Sequence, residues 1–445
     1  MDEYTTAIVS LLAGRGHNIW FAGASARHQI GGHRAPHSAD LLSDASAEVC
    51  AEVRTLAADV LQEGSRLSLQ SLGDQDIESM LRTRGVTIEA LAISAAGELV
   101  DPVGGLAHLQ SGVLRTVQAP DRAFRDTPEL LIRVGRIISE TGFSASNDLR
   151  RFATRDAGNL LDIPSRNQAW GREMNPLLLG YAIDPALQWL QDTGALRIFL
   201  PEIAAMIGFD KTCAVHHKDL WSHTKLVTQK ASCDLVVRWA ALCHDIGKVW
   251  TRSVNRQGKV HFFRHEEHGA LLFESIAHRL CLDEWLTKRV AYLIEHHTRV
   301  NLYHSDWTDN AVRRLIRDTE GHLQDLLTFS KADFTTKRES RIAEMKATLA
   351  ELEERIARIR DEDAQRPPLE TGVGSEIMEH FGLKPSRTVG TLKKLLESAV
   401  EAGTLVAPVE TAFCLSWLSQ DTQAIELIQS AGGSIPLEPD SAQDG

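Results

Sequence analysis

An adjacent histidine and aspartate, His244 and Asp245, directly follow an apolar run from Leu235 to Cys243. The run is typical of a buried helix, and Gly247 then offers the chain a way to leave that helix. A neighbouring imidazole and carboxylate can reach one divalent ion together. The pair forms a metal site only if further ligands come from elsewhere in the chain.

Side chains that could complete such a site lie on both sides of this pair: His223, His265, His268, His296, His297 and Asp333. Mixed imidazole and carboxylate ligation suits Mn, Fe, Co, Ni or Zn, and suits Mg less well. A bound divalent ion lowers the pKa of water to about 7, and two ions ~3.5–4 Å apart can clamp a phosphate. The pattern therefore predicts one or two divalent ions and chemistry on a phosphorylated substrate.

Several cationic side chains accompany these residues: Lys248, Arg313, Arg314 and Arg317. Guanidinium and ammonium groups can neutralise the charge of a phosphate. The alternative is that they form a solvated helix surface, and we prefer that interpretation for Arg317. The sequence therefore predicts Lys248, Arg313 and Arg314 as phosphate- or substrate-binding residues.

The chain of 445 residues is too long for a single core, so two to four domains are expected. No apolar run approaches the ~20 residues that span a bilayer, and the N-terminus does not resemble a secretion signal. We therefore expect a cytoplasmic protein that does not contact membranes. The net charge of −12 means that any contact with RNA must be local.

The periodicity of apolar residues predicts a mainly α protein with a small α/β head. Strands are expected at Ile19–Gly23, Val86–Ile93 and Glu98–Val100, and almost none between residue 127 and about residue 365. The predicted segments are a head at 1–115, a helical neck at 116–200, a domain with the candidate ligands at 201–336, a long amphipathic helix at 337–365, a helical module at 366–420 and a partly disordered tail at 421–445.

The long helix carries a narrow apolar seam from Ile342 to Ile359 at three- and four-residue spacing. Such a seam either packs along its own protein or joins two copies in a homodimer. We prefer the first interpretation because the seam is shorter than four heptads.

The candidate ligands resemble the H…HD…D signature of HD-domain metal phosphohydrolases, including the extra histidines of members that bind two metals. The resemblance implies a metal-ligand set with His296 as an alternative to His297, and it implies catalytic roles for His244, Asp245 and Lys248. The ligands would be His223, His244, Asp245, His265, His297 and Asp333.

The flanking segments 219–224, 238–248 and 307–314 resemble the C-terminal part of bacterial tRNA nucleotidyltransferases, the family of CCA-adding enzymes and poly(A) polymerases. In that family a G-G-x-x-R-D loop holds the triphosphate and a D-x-D pair binds two Mg ions. Here the loop reads Gly23-Ala24-Ser25-Ala26-Arg27-His28 and the pair reads Ser38-Ala39-Asp40. One aspartate and a neutral serine cannot offset two divalent cations. Gly23, Arg27 and Asp40 would therefore be vestigial, in a head that is folded but catalytically silent.

Three functions remain open at this point. The first is an HD-type phosphohydrolase on a tRNA-nucleotidyltransferase-like scaffold, acting on phosphorylated nucleotides or RNA ends, with tRNA as one candidate partner. The second is a divergent CCA tRNA nucleotidyltransferase. The third is a noncatalytic RNA-binding protein that grips RNA through basic residues of the C-terminal module, which are Lys384, Arg387, Lys393 and Lys394.

Overall fold

The structure is a computed structural model, and its chain divides into two compact units. The first unit comprises Met1–Tyr303 and Thr319–Lys346, and the second comprises His304–Asp318 and Ala347–Gly445. The residues described are 3–31, 38–58, 66–163, 166–209, 219–335, 338–365, 369–406 and 409–436.

The first unit begins with a five-stranded mixed sheet in the order β3-β2-β1-β4-β5. Strands β2 and β3 are parallel and the other neighbours are antiparallel. The elements are α1 Glu3–Gly14, β1 Ile19–Ala22, α2 Gly23–Gly31, β2 Ser38–Ser43, α3 Ala47–Ala58, β3 Arg66–Ser71, α4 Ile77–Arg82, β4 Ala92–Ser94, β5 Leu99–Val100, α5 Gly105–Ser111 and β6 Val113–Leu114.

The alternation of side chains along β2 explains why the sheet is covered on both faces. Leu41 belongs to a cluster with Ile8 and Leu12 of α1, whereas the next residue, Leu42, belongs to a cluster with Leu81 of α4. Successive residues of a strand point to opposite faces, so each face of the sheet obtains its own small core.

The strand that the sequence predicts at Val86–Ile93 is wrong for most of its length. Residues Thr87–Glu89 form a short 3-10 turn, and the strand begins only at Ala92. The turn buries Glu89, whose carboxylate contacts the arginines Arg27 and Arg136. The Thr87–Glu89 segment thus places the Glu89 carboxylate against two arginines and does not pair with a neighbouring strand in this sheet.

A helical layer follows the head. Helix α7 buries Leu131, Val134, Ile137 and Ile138, as their helical spacing predicts, and it ends at Gly142, whose φ of 67° is the left-handed conformation typical of a glycine cap. The elements are α6 Pro120–Asp126, α7 Leu130–Thr141, β7 Ser144–Ala145, α8 Asn147–Asp156, α9 Arg166–Leu179, α10 Ile183–Asp192, α11 Ala195–Phe199 and α12 Pro201–Ala204.

The segment with the candidate ligands is helical apart from a β-hairpin. The hairpin is not among the strands predicted from the sequence, because each of its strands has only three residues, too few to show alternation. The sequence feature that could have indicated the hairpin is the turn formed by Asn255 and Gly258, between Val254 and Val260. The elements are α13 Leu220–Lys230, α14 Leu235–Cys243, α15 Lys248–Thr251, β8 Arg252–Val254, β9 Val260–Phe262, α16 His265–Arg279, α17 Glu284–His296, α18 Asp309–Asp318 and α19 Leu323–Asp333.

The second unit contains α18, the part of the long helix from Ala347 onward and the helices that follow it. Helix α18 joins the long helix through ion pairs of Arg313 with Asp363 and of Arg355 with Asp309, whereas the sequence-based boundaries place it in the 201–336 segment. The remaining elements are α20 Glu339–Gln365, α21 Val373–Phe381, α22 Arg387–Glu401, α23 Thr411–Gln420 and α24 Thr422–Ser430.

The apolar seam of α20 is covered within a single chain, since Leu349, Leu352, Ile356 and Ile359 are all buried. This burial fits the interpretation that the helix packs along its own protein. Of the tail at 421–445, α24 is helical and residues 437–445 lie outside the described residues. Within the described ranges, no helix combines the length and the apolar character needed to cross a bilayer.

Candidate metal centre

Helix α14 delivers His244 and Asp245 into the interior. Asp234 caps its N-terminus by accepting a hydrogen bond from the backbone N–H of Val237 at 3.0 Å. The helix is buried from Val236 to Cys243, and the two residues that follow are only 1% and 2% exposed. The apolar run thus fixes both polar groups where water is largely excluded.

Gly247 does not end the helix in the way that glycine usually does. Its φ is −61°, within the right-handed region, so no left-handed cap forms. Instead, a Cβ at this position would overlap the carbonyl oxygen of His265 and lie 2.8 Å from the backbone nitrogen of Gly269. Glycine is therefore required because α16 approaches the backbone here, which places His265 beside Asp245.

Replacing Gly247 by alanine is expected to cost about 1–3 kcal/mol of unfolding free energy, because the added methyl group must push α16 away. The shift should also loosen metal binding by displacing His265. Denaturant unfolding and metal titration of Gly247→Ala measure both effects. The control is Gly158→Ala, where a Cβ would meet nothing within 4 Å. Equal stability of the two variants would contradict this account.

Asp245 lies among four histidine rings from four helices or helix ends. Its Oδ2 atom is 3.2 Å from Nε2 of His244 and 3.7 Å from Nε2 of His223. Its Oδ1 atom is 3.6 Å from Nε2 of His265 and 4.0 Å from Nε2 of His297. The two carboxylate oxygens therefore face two different pairs of rings.

Hydrogen bonds on the far side of three rings fix how these histidines are protonated. The Nδ1 atom lies 2.9 Å from the Ala241 carbonyl in His244, 3.0 Å from the Phe262 carbonyl in His265, and 2.7 Å from the Ile294 carbonyl in His297. A carbonyl oxygen can only accept, so each Nδ1 carries the proton. The Nε2 atom of each ring faces Asp245, and in the neutral form of the ring it carries the lone pair that a metal ligand needs.

Burial and neighbouring charges keep most residues of the cluster in the protonation state that binds a metal, an ionised carboxylate or a neutral imidazole. Burial lowers the pKa of His297 to about 4, and burial together with Lys248 lowers the pKa of His265. Burial alone would raise the pKa of Asp245, but His244 and Lys248 outweigh it and hold that pKa well below its usual range. For His244 itself, burial opposes protonation, yet the Asp245 carboxylate prevails and raises the pKa of the ring. Asp245 is therefore ionised, and His265 and His297 are neutral near pH 7.

One buried nitrogen of the cluster, Nε2 of His265, lacks a hydrogen-bond partner among the described residues, and Oδ1 of Asp245 accepts no well-aligned hydrogen bond there although Nζ of Lys248 lies 2.8 Å away. Orphaned buried polar atoms are costly, and a cation between them would satisfy both. The ligand atoms form two groups that could each hold one ion, His223 with His244 and Asp245, and Asp245 with His265 and His297. The residues present thus fit one or two divalent ions, with Asp245 shared.

Asp333 and Lys248 border the same cluster. The Asp333 Oδ1 atom lies 3.3 Å from Nε2 of His223, and Nζ of Lys248 lies 2.8 Å from each oxygen of Asp245. His296 points elsewhere, because its ring packs edge-on against Tyr292 with the centroids 4.3 Å apart. Of the two neighbours that the sequence left open, the structure brings His297 to Asp245.

The remaining predicted substrate-binding cations lie in the second unit. Arg313 donates to Asp363 at 3.0 Å, and Arg314 pairs with Asp318 at 3.5 Å within their own helix. Their charges are therefore already engaged by carboxylates. The four basic residues of the C-terminal module, Lys384, Arg387, Lys393 and Lys394, are exposed.

In the head, the side chain of one arginine, Arg84, engages the carboxylate that the resemblance assigns to metal binding. Asp40 accepts hydrogen bonds from Arg84 Nη1 at 3.1 Å and Nη2 at 3.3 Å. Gly23, with φ of 49°, lies so near that a Cβ there would be 2.6 Å from Oδ2 of Asp40. The bidentate pair neutralises Asp40 where a nucleotidyltransferase would need a second acid.

The side chain of Arg27 belongs to a buried network of ion pairs near Asp40. It donates to Glu140 at 2.8 Å and lies 3.5 Å from Glu89, while Arg136 donates to Glu89 at 3.0 Å and to Glu173 at 2.7 Å. Arg133 completes the network by donating to Glu173 at 3.0 Å. Three arginines thus meet three glutamates, which leaves no net positive charge for a triphosphate.

Residues 222–327 match the HD domain family. An A-adding tRNA nucleotidyltransferase from Deinococcus radiodurans is 29% identical over 357 residues, which cover 78% of this chain and 80% of that protein. A Multifunctional CCA protein from Laribacter hongkongensis is 29% identical over 278 residues, 60% of this chain and 66% of that protein. The CCA-adding enzyme of Bacillus stearothermophilus in complex with CTP has the same fold, with a TM-score of 0.56 at 18% identity, covering 94% of this chain and 98% of its own.

The fold and the histidine–aspartate cluster define a protein with an α/β head, a helical body and an HD domain. Over most of its length, the chain is similar to tRNA nucleotidyltransferases.

Proposed function

We propose that this protein is a metal-dependent phosphohydrolase whose active site is the HD-domain cluster, and that its head no longer transfers nucleotides. The observation that carries the proposal is the contrast between two sites of one chain. In the HD domain, Asp245 faces four histidine rings, and Nε2 of His265 is buried without a hydrogen-bond partner among the described residues. In the head, Asp40 is already neutralised by Arg84.

The ligands would be His223, His244, Asp245 and Asp333 for one ion and His265, His297 and Asp245 for the other. A divalent ion held there supplies Lewis acidity that makes water a stronger nucleophile near neutral pH. In the hydrolysis itself, water adds to phosphorus, the bond from phosphorus to the leaving oxygen breaks, and a proton ends on that oxygen. Phosphomonoesters and cyclic or linear phosphodiesters of nucleotides or RNA ends are the substrate class.

The chain's own residues orient the site for this reaction. The carbonyls of Ala241, Phe262 and Ile294 hold the histidine rings in one tautomer, so the ligand atoms are aligned before a substrate arrives. Lys248 places an ammonium group 2.8 Å from Asp245, where it can also attract the phosphate. Burial of His244 and Asp245 keeps bulk water away from the carboxylate.

The test is hydrolysis of bis(p-nitrophenyl) phosphate by purified protein supplied with Mn²⁺ or Ni²⁺. The wild type should release nitrophenol, and the double variant His244→Ala with Asp245→Ala should not, because it lacks ligands of both ion groups. Retention of the wild-type rate by the folded double variant would show that the cluster is not the active site.

Nucleotidyl transfer is the second candidate, and the A-adding relative favours it because that alignment spans most of both chains. Its test is incorporation of labelled CTP or ATP into tRNA that lacks its CCA end. The Arg84–Asp40 pair and the neutral Ser38 lead us to expect no incorporation. Incorporation that survives Asp245→Asn would establish this second function instead.

A further inference from the structure

A β-hairpin borders the candidate metal centre, and apart from the Phe262 carbonyl it has no role in the function proposed above. It comprises β8 and β9, with Trp250 of α15 before it and Phe263 after it. The carbonyl of Phe262 lies 3.0 Å from Nδ1 of His265, and the Phe262 ring centre is 5.9 Å from Nζ of Lys248. The hairpin therefore ends at a residue, Phe262, that contacts two members of the cluster.

The hairpin and its flanks expose large apolar side chains to solvent. Phe263 is 69% exposed, Val254 56% and Trp250 47%. The rings of His261 and Phe263 are stacked, with centroids 5.0 Å apart and an interplanar angle of 7°. Trp250 and Phe263 flank the paired ends of the two strands, where Arg252 lies opposite Phe262. Exposed aromatic groups this close to one another along a hairpin are costly in water and indicate a binding surface.

The same segment is basic in an acidic protein. From Ile246 to Arg264 the sequence contains five cations and no aspartate or glutamate, while the whole chain has a net charge of −12. Asp245 pairs with Lys248, and Glu267 pairs with Arg264. Arg256 and Lys259 are exposed at the turn and take part in none of the ion pairs found among the described residues.

We infer that this hairpin binds a single strand of nucleic acid, whose bases stack on Trp250 and Phe263 and whose phosphates are neutralised by Arg256 and Lys259. Every base offers a face to an aromatic ring, and stacking requires bases that are unpaired, so a single strand fits better than a duplex. The inference rests on the proposed function in one respect, because the bound strand would present its terminal phosphate to the cluster beside the hairpin.

The experiment uses a fluorescein-labelled single-stranded octaribonucleotide with a 3′-phosphate and measures binding by anisotropy in buffer with chelator. Trp250→Ala with Phe263→Ala should weaken binding on the order of tenfold or more, since stacking contributes substantially per base. An abasic oligomer with the same phosphates should bind the wild type as weakly as the intact oligomer binds this variant. Trp285→Ala is the matched control, because Trp285 is 63% exposed on α17.

The cationic half of the surface is tested by salt dependence. Arg256→Gln with Lys259→Gln should reduce the slope of log affinity against log salt by about 1.4, roughly 0.7 for each lost phosphate contact to a single strand. The matched control is Lys288→Gln, a lysine whose side chain is 75% exposed and pairs with Glu284. Binding of a DNA octamer in the same assay shows whether the hairpin distinguishes ribose from deoxyribose.

Three outcomes would overturn the inference. They are equal affinity of the wild type and the Trp250/Phe263 variant, equal affinity of the intact and abasic oligomers, and binding to anionic lipid vesicles with none to the oligomer. Hydrolysis of bis(p-nitrophenyl) phosphate by the wild type separates this inference from the proposed function. A protein that binds the oligomer through these rings but never hydrolyses the ester refutes only the latter.

Discussion

Asp245→Asn is expected to abolish binding at both proposed ion sites and to lower the rate of the proposed phosphohydrolase reaction by at least about 10³-fold. The carboxylate belongs to both ligand groups, with one oxygen toward His223 and His244 and the other toward His265 and His297. An amide keeps the shape of the side chain but removes its charge. Losing metal assistance of several kcal/mol corresponds to a rate loss of this size.

Single histidine variants should behave differently from Asp245→Asn. His265→Ala leaves the group of His223, His244 and Asp245 intact, so it should retain one ion per chain. His278→Ala is the control on the same helix, because this histidine is exposed and far along α16 from His265. Elemental analysis after desalting measures the metal content of the three variants Asp245→Asn, His265→Ala and His278→Ala. Two ions retained by Asp245→Asn would refute a shared carboxylate.

Glu89→Gln is expected to lower the unfolding free energy of the protein by about 3 kcal/mol at pH 7. Burial alone would raise the pKa of Glu89, but Arg136 and Arg27 outweigh it and lower that pKa from 4.5 to about 2. An amide cannot replace this charge, so two buried arginines would lose a partner. Urea unfolding of the variant and the wild type measures the difference.

The pH dependence of this difference has a definite sign. A carboxylate with a depressed pKa in the folded state stabilises the protein fully above its unfolded pKa and loses that effect as the pH falls. The gap between the wild type and Glu89→Gln should therefore be constant above pH 4.5 and shrink as the pH falls toward 2. Glu98→Gln, at an exposed turn, should show no gap. A pH-independent gap would contradict the ion-pair explanation.

Helical periodicity and a few motifs were enough to predict much of this molecule. The spacing of Leu131, Val134 and Ile138 predicts α7 because one buried face requires that spacing. The apolar run before His244 likewise predicts α14. These features are local, and a pattern in adjacent turns is enough to specify them.

Contacts between distant segments that no recognisable motif marks were not predictable. The pair of Arg84 with Asp40 joins residues 44 positions apart, and sequence spacing carries no distance over such a span. The choice between His296 and His297 depends on which ring packs against Tyr292. The role of Gly247 depends on the approach of α16, which only the packed structure reveals.

The most direct test of the central claim is the metal content of the wild-type protein after incubation with Mn²⁺ and exhaustive desalting. The claim is that the working site of this chain is the HD-domain cluster around Asp245. We expect one to two equivalents of metal per chain in the wild type and none in the Asp245→Asn variant. A wild type that retains no metal, or a variant that retains as much as the wild type, would contradict it.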